Sequence, residues 1–140
     1  MATKDSGKVL VDTSVWIDYF RKKEPAYGVV SELLREERIC CIGIVLAELL
    51  QGAKSMKEIN VIKDFIHIFE FLPETPQLWE QTGELSFHLR SKGKTVGLSD
   101  CFIAVMSKQY NAALLSFDTD FAAINDEMKL NLYPVHGLGQ

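Results

Sequence analysis

Four short apolar runs, each reaching an acidic residue at or near its end, constrain this chain more than any other feature. They are Lys8-Val-Leu-Val-Asp12, Ile42-Gly-Ile-Val-Leu-Ala-Glu48, Gly97-Leu-Ser-Asp100 and Ala113-Leu-Leu-Ser-Phe-Asp118. Burying even one bare carboxylate is expensive, and several brought together repel one another. A fold that converges them therefore needs a cation or shared protons between them. A donor set made only of carboxylate oxygens favours Mg²⁺ or Mn²⁺.

The pattern between these runs alternates strand and helix. Lys8 to Val11 reads as a short buried strand. Thr13 and Ser14 then offer capping hydroxyls to a helix through Val15, Trp16, Ile17, Tyr19 and Phe20, which Glu24-Pro25 breaks. Val29 to Arg38 predicts a second helix with Val30, Leu33 and Leu34 inward, and Ile39 to Ile42 a strand. From about Val45 to Gly52 the pattern is helical, with Glu48 in the first turns. Met56 to Phe69 repeats apolar residues at helical spacing, and Phe71-Leu72 closes it as a brief strand or turn.

Thr75-Pro76 opens the next helix, with Leu78, Trp79, Leu85 and Leu89 on its buried face and its end near Gly93. Trp16 and Trp79 are both expected in the core. Ser99 is expected to cap a helix carrying Asp100, Phe102, Ile103, Val105 and Met106. Ala113 to Phe117 reads as a strand, Phe121 to Ile124 as a short helix and Leu130 to Val135 as a last strand. Such alternation implies parallel crossovers, whose ligand sites lie beyond the carboxyl ends of strands. Asp12 and Asp118 stand where that rule points.

With 140 residues and 47% hydrophobic composition, the chain can bury one good core, and a single domain over 1–140 is expected. Residues 1–7 and 137–140 are expected to be flexible ends. Every aliphatic run stops well short of membrane-spanning length, so no membrane association is expected. The first eight residues lack the apolar centre of a secretory signal, which points to the cytoplasm. Cys40, Cys41 and Cys101 read as buried thiols in a reducing compartment. A net charge of −4 argues against coating nucleic acid by bulk electrostatics, although a bound divalent cation can reverse the local field and hold a phosphate.

The residues also carry a resemblance. Val11-Asp12-Thr13-Ser14 with Trp16-Ile17-Asp18-Tyr19-Phe20, then Leu46-Ala47-Glu48-Leu49 with Gly52, then Leu98-Ser99-Asp100-Cys101-Phe102-Ile103-Ala104, then Leu115-Ser116-Phe117-Asp118-Thr119-Asp120-Phe121 stand in one order along nearly the whole chain. In this the chain resembles the PIN-domain ribonucleases, in particular the VapC toxins of VapBC toxin–antitoxin pairs. The resemblance implies an α/β fold, a PIN-like three-layer α/β/α domain with a central parallel sheet. It implies a Mg²⁺- or Mn²⁺-dependent endoribonuclease with Asp12, Glu48, Asp100 and Asp118 as catalytic and metal-organising acids and Asp120 as a second candidate for the fourth position. It also implies an RNA substrate, a cognate VapB-like antitoxin and a homodimer. Where a hydroxyl residue often precedes the glutamate, Gly43 and Val45 stand here, which removes a supporting hydrogen bond and leaves the acid.

Thr13, Ser14, Ser99 and Ser116 are candidate hydroxyls for orienting a carboxylate or a phosphate, in competition with capping their own helices. Arg21, Lys22, Lys23, Arg90, Lys92 and Lys94 could follow an RNA backbone at the rim, with solvated surface charge as the plainer alternative. Gly93-Lys94-Thr95 is not a P-loop, because His88 occupies the place of the required earlier glycine and a helix precedes it instead of a strand. His67, His88 and His136 share no ligand spacing with one another or with a cysteine pair, which speaks against zinc and Cys-His catalysis. The competing functional reading is a noncatalytic module of the same fold that only holds an antitoxin-like partner.

Overall fold

Val9, Leu10 and Val11 have no solvent exposure on either face, and three aliphatic residues of that kind can only be a central strand. They form β1 (Val9–Val11) in the computed structural model of the protein, which describes residues 5–135. The remaining elements are α1 (Thr13–Phe20), α2 (Ala26–Arg35), β2 (Ile39–Cys41), α3 (Gly43–Gln51), α4 (Met56–Ile66), β3 (Glu70–Phe71), α5 (Pro76–Ser91), α6 (Leu98–Gln109), β4 (Ala113–Leu115) and α7 (Asp120–Glu127). Residues 1–4 and 136–140, including His136 and most of the expected flexible ends, lie outside the described residues.

The strands form one parallel sheet in the order β3-β2-β1-β4, with Val9 opposite both Ile39 and Ala113. Chain progression runs outward from β1 through β2 to β3, then crosses to the other side of β1 for β4. This reversal creates a crevice at the carboxyl ends of β1 and β4, where open parallel sheets bind ligands. Helix α1 packs on both α2 and α3, α3 packs on α4, and α5 to α7 pack together, giving outer layers on the sheet. In α6, Cys101 to Ser107 are all buried, so this helix is apolar on every side and acts as a core element. Its rigid seat fixes the position of Asp100 in its first turn.

Around Trp16 the rings of Tyr19, Phe20, Phe65 and Phe69 lie with centroids 5.6–5.9 Å away, joining α1 to α4. Among the described residues, no helix is long and apolar enough to cross a membrane.

Several elements differ from the sequence expectations, each for a local reason. Trp79 is 44% exposed instead of core, with one ring face stacked on Phe102 at 3.7 Å. Residues 130–135 form no strand beyond a single bridge between Leu132 and Leu114, where only the bonds from the Leu114 N–H to the Asn131 carbonyl and from the Tyr133 N–H to the Leu114 carbonyl join the segment to β4. Gly97, not Ser99, is the N-cap of α6, and Asp12, not Thr13 or Ser14, is the N-cap of α1. The second helix starts at Ala26 directly after Pro25 and stops at Arg35, with Glu37 at a φ of +55° turning the chain into β2. Helix α3 begins at Gly43, and α4 ends at Ile66 so that Glu70 can pair beside Cys40.

Candidate active site

Asp12 is 4% exposed, and its carboxylate is held from three directions. As the N-cap of α1 it accepts a hydrogen bond from the Thr13 N–H at 2.7 Å through Oδ1. Its Oδ2 accepts from the Ser116 hydroxyl at 2.8 Å and from the Ser14 hydroxyl at 3.2 Å. These bonds favour the ionised form, but burial outweighs them and pushes the Asp12 carboxyl above its ordinary range. The Ser116 Oγ also accepts from the Asp118 N–H at 3.0 Å, so one hydroxyl couples the ends of β1 and β4.

Glu48 projects from the middle of α3, and its Oε1 accepts from the Thr13 hydroxyl at 2.8 Å. Thr13 and Ser14, adjacent in sequence, thereby serve different acids. Asp100, half-buried in the first turn of α6, meets Asp118 and Asp120, and carboxylate oxygens of these three lie within 4.8 Å of one another. The Asp118 Oδ1 accepts from the Asp120 N–H at 2.9 Å, which fixes their relative placement. Burial raises the Asp100 carboxyl to about 7, with further contributions from the charges of Asp12, Asp118, Asp120 and Glu48. Thr13 links Glu48 to Asp12 and Ser116 links Asp12 to Asp118, so hydrogen bonds join these acids to the cluster of Asp100, Asp118 and Asp120.

Among the described residues, no Lys, Arg or His forms an ion pair with any of the five acids. Five carboxylates without a protein cation among the described residues suit a hard divalent ion with oxygen ligands, and a described donor set without thiolate or imidazole suits zinc poorly. The three thiols are buried, and burial lifts Cys40 to about 11 and Cys41 to about 12, so neither is a nucleophile near neutral pH.

The other sequence candidates separate. Ser99 stands beside Asp100 with no side-chain hydrogen bond among the described residues. Lys92 and Lys94 pair with Glu127 and Asp126 at 2.7 and 3.7 Å, tying the end of α5 to α7. Arg21 turns to a different cleft, described below, and Lys22 adopts a φ of +57° just beyond α1. Gly43, the first residue of α3, leaves the space that a Cβ would share with the Glu74 carboxylate 3.1 Å away.

Sequence reasoning passed over two features. A cleft of about 350 Å³ beside the acids is lined by Ser14, Ile17, Asp18, Phe117 and Asp118. The first three recur at helical i, i+3, i+4 spacing, which was the available signal. A second cleft of about 510 Å³ runs between α1, α3 and α4, with Ile17, Phe20, Leu49, Val61 and Ile62 among its apolar walls and Arg21, Lys54 and Lys57 among its charged ones.

Comparison with known proteins accords with this geometry. The sequence matches the PIN domain over residues 9–127. It is 28% identical over 121 residues to VapC ribonuclease Mb1587 of Mycobacterium bovis, covering 83% of this chain and 90% of that one. It is 31% identical over 101 residues to ribonuclease VapC1 of Methanocaldococcus jannaschii, covering 72% of this chain and 68% of the relative. Among solved structures, DNA-bound VapBC from Salmonella typhimurium superposes with a TM-score of 0.75 at 26% identity, over 90% of this chain and 96% of that one. VapBC2 from Rickettsia felis bound to a promoter DNA fragment gives 0.73 at 24% identity, over 89% and 96%.

Proposed function

The chain belongs to the PIN-domain family, and on that premise we propose that it is a divalent-metal-dependent endoribonuclease, the toxin of a toxin–antitoxin pair. The observation that carries this reading is the meeting of Asp100, Asp118 and Asp120 within 4.8 Å, beside Asp12 and Glu48 and without a protein cation. Asp12, Glu48, Asp100 and Asp118 are the residues suited to hold Mg²⁺ or Mn²⁺, with Asp120 as the alternative or companion to Asp118. When bound, the ion supplies positive charge for the scissile phosphate and lowers the pKa of a water so that hydroxide can attack.

The chain's own part is to keep the donors in place. The Thr13 N–H and the hydroxyls of Ser14 and Ser116 prevent Asp12 from rotating, and Thr13 fixes one oxygen of Glu48. Such supporting bonds orient a carboxylate and would hold it ready to bind the ion. Ser99 has the position to meet a substrate phosphate beside Asp100. Arg21, Lys22, Lys23 and Arg90 remain candidates for RNA contact, whereas Lys92 and Lys94 already brace α7.

The relatives are named as ribonucleases and the structural neighbours as VapBC complexes, which supports RNA as substrate and a VapB-like antitoxin as partner. The apolar cleft of α1, α3 and α4 suits a partner helix laid in a groove. Exposed Trp79, Gly83 and Phe87 recur at i, i+4, i+8 along α5 and offer a face for a homodimer. One contiguous core supports a single domain.

The test is cleavage of RNA by purified protein in Mg²⁺ and in Mn²⁺, with EDTA as the control. Asp12→Asn and Asp100→Asn are expected to reduce cleavage to the EDTA background while circular dichroism stays unchanged. Folded variants that cut as fast as the parent would refute the assignment. A parent that never cuts but binds its antitoxin would establish the noncatalytic module instead.

A further inference from the structure

We propose that the cleft beside the acids is a nucleobase subsite selecting guanine, and that Asp18 is the residue that reads it. This rests on the ribonuclease reading and adds a sequence preference to it. The cleft of about 350 Å³ shares walls with the acid crevice, since Asp118 belongs to both and Ser14 donates to Asp12 at 3.2 Å. Phe117 stands between Ser116, which donates to Asp12, and Asp118. From Ser14 to Asp18 the helix advances about 6 Å. A base held at Asp18 therefore belongs to a nucleotide flanking the scissile phosphate.

Its chemistry suits a flat ring with donors on one edge. Half-buried Phe117 offers an aromatic surface and Ile17 an apolar one, and bases of unpaired RNA stack on such surfaces. Asp18 forms no side-chain hydrogen bond or ion pair among the described residues, although it is half-buried beside these apolar groups. Its carboxylate only accepts, through two oxygens. Guanine alone among the RNA bases presents two adjacent donors, N1–H and N2–H₂, on its Watson–Crick edge, whereas uracil presents one donor between two repelling carbonyls. A partner's arginine also carries paired donors, but a stacking wall beside a phosphate-cleaving centre favours a base.

The test uses two fluorescently labelled pentaribonucleotides, one of uridine only and one with a central guanosine, cleaved in Mn²⁺ by the parent, Asp18→Ala, Asp18→Asn and Phe117→Leu. For the parent, kcat/KM is expected to favour the guanosine substrate by about 10-fold or more, the size of a two-hydrogen-bond base contact. In both Asp18 variants that ratio falls toward one, mainly through KM, while Phe117→Leu weakens binding of both substrates. A parent without preference, or an Asp18→Ala ratio equal to the parent's, overturns the proposal. So does an Asp18→Ala ratio equal to the parent's with weakened binding of an arginine-bearing antitoxin peptide, which would make the cleft a partner site. If the parent cuts neither substrate, the ribonuclease reading has failed, and affinities measured with Ca²⁺ still decide the subsite. Equal affinity for the two oligonucleotides then overturns it, and a guanosine preference lost in Asp18→Ala upholds it.

Discussion

Replacing Asp100 with asparagine removes a charge and nearly no volume, so it isolates the electrostatic cost of the crevice. Asp100 in the folded protein titrates at about 7, against 3.8 for an unperturbed aspartate. Between those values the folded state keeps a proton that the unfolded state has released. Unfolding therefore liberates protons in this window, and stability falls as pH rises from about 4 to about 7. At full weight the displacement corresponds to about 4 kcal/mol. Asp100 is only half-buried and solvent screens its neighbours, which brings the expected cost to about 2 kcal/mol.

Asp100→Asn escapes that cost. In EDTA at pH 8 the variant is expected to be about 2 kcal/mol more stable than the parent, or about 6 °C higher in Tm for a chain of this size. The difference shrinks steadily as the pH is lowered toward 4.5. Adding Mg²⁺ at pH 8 should reverse the order, because the parent gains binding free energy that the variant has largely lost. Thermal unfolding followed by circular dichroism across this pH range, with and without the ion, reads all of this. A variant that is less stable than the parent in EDTA at pH 8, or a difference independent of pH, would refute the idea that mutual repulsion and burial dominate the site.

Three further perturbations probe the supports. Thr13→Val removes the donor to Glu48 while keeping shape, and is expected to weaken Mn²⁺ binding about 10-fold with little change in urea midpoint, measured by titration calorimetry. Ser116→Ala leaves Asp12 Oδ2 with its longer bond and the Asp118 N–H without its acceptor, so stability should fall by about 1–2 kcal/mol. Because that bond also lowers the Asp12 pKa, the acidic limb of the cleavage profile should move to higher pH. Trp16→Phe deletes an Nε1–H that is buried without a partner, which offsets the lost ring area. A urea midpoint implying a change within about 1 kcal/mol is expected, far from the ~3–5 kcal/mol of Trp16→Ala.

Strands β1, β2 and β4 were legible because they are buried on both faces, whereas the exposed two-residue β3 was not distinguishable from a turn. Residues 9–11, 39–41 and 113–115 are continuous apolar runs, and no exposed environment suits them. Trp79 was misplaced because burial was inferred from hydrophobicity at a helical spacing shared with Leu78 and Leu85. The buried face of α5 is instead Leu78, Thr82, Leu85 and Leu89, and Trp79 lies at its edge with one ring face on Phe102 of α6 and the rest exposed. Pattern reading gives a stripe on a helix, but only the neighbouring helix decides which edge of the stripe is covered.

The acids were legible for a different reason. Apolar neighbours make an ionised side chain anomalous wherever it falls in sequence, so Glu48 within Leu46-Ala47-Glu48-Leu49-Leu50 and Asp12 after Lys8-Val-Leu-Val demanded an explanation before any geometry was known. Their convergence depended on strand order, which local pattern does not encode. The decisive step is the crossover that returns β4 to the free side of β1, bringing the Ser116 hydroxyl to 2.8 Å from Asp12 across 104 residues of chain. Serine and threonine were ambiguous for the same reason. A hydroxyl one residue into a helix can cap it or reach outward, and Asp12 had already taken the capping role, which freed Thr13 for Glu48 and Ser14 for Asp12 itself. One carboxylate thus serves as helix cap and as hydrogen-bond acceptor for the opposite strand end, so the structural and catalytic readings of Asp12 are two consequences of one position.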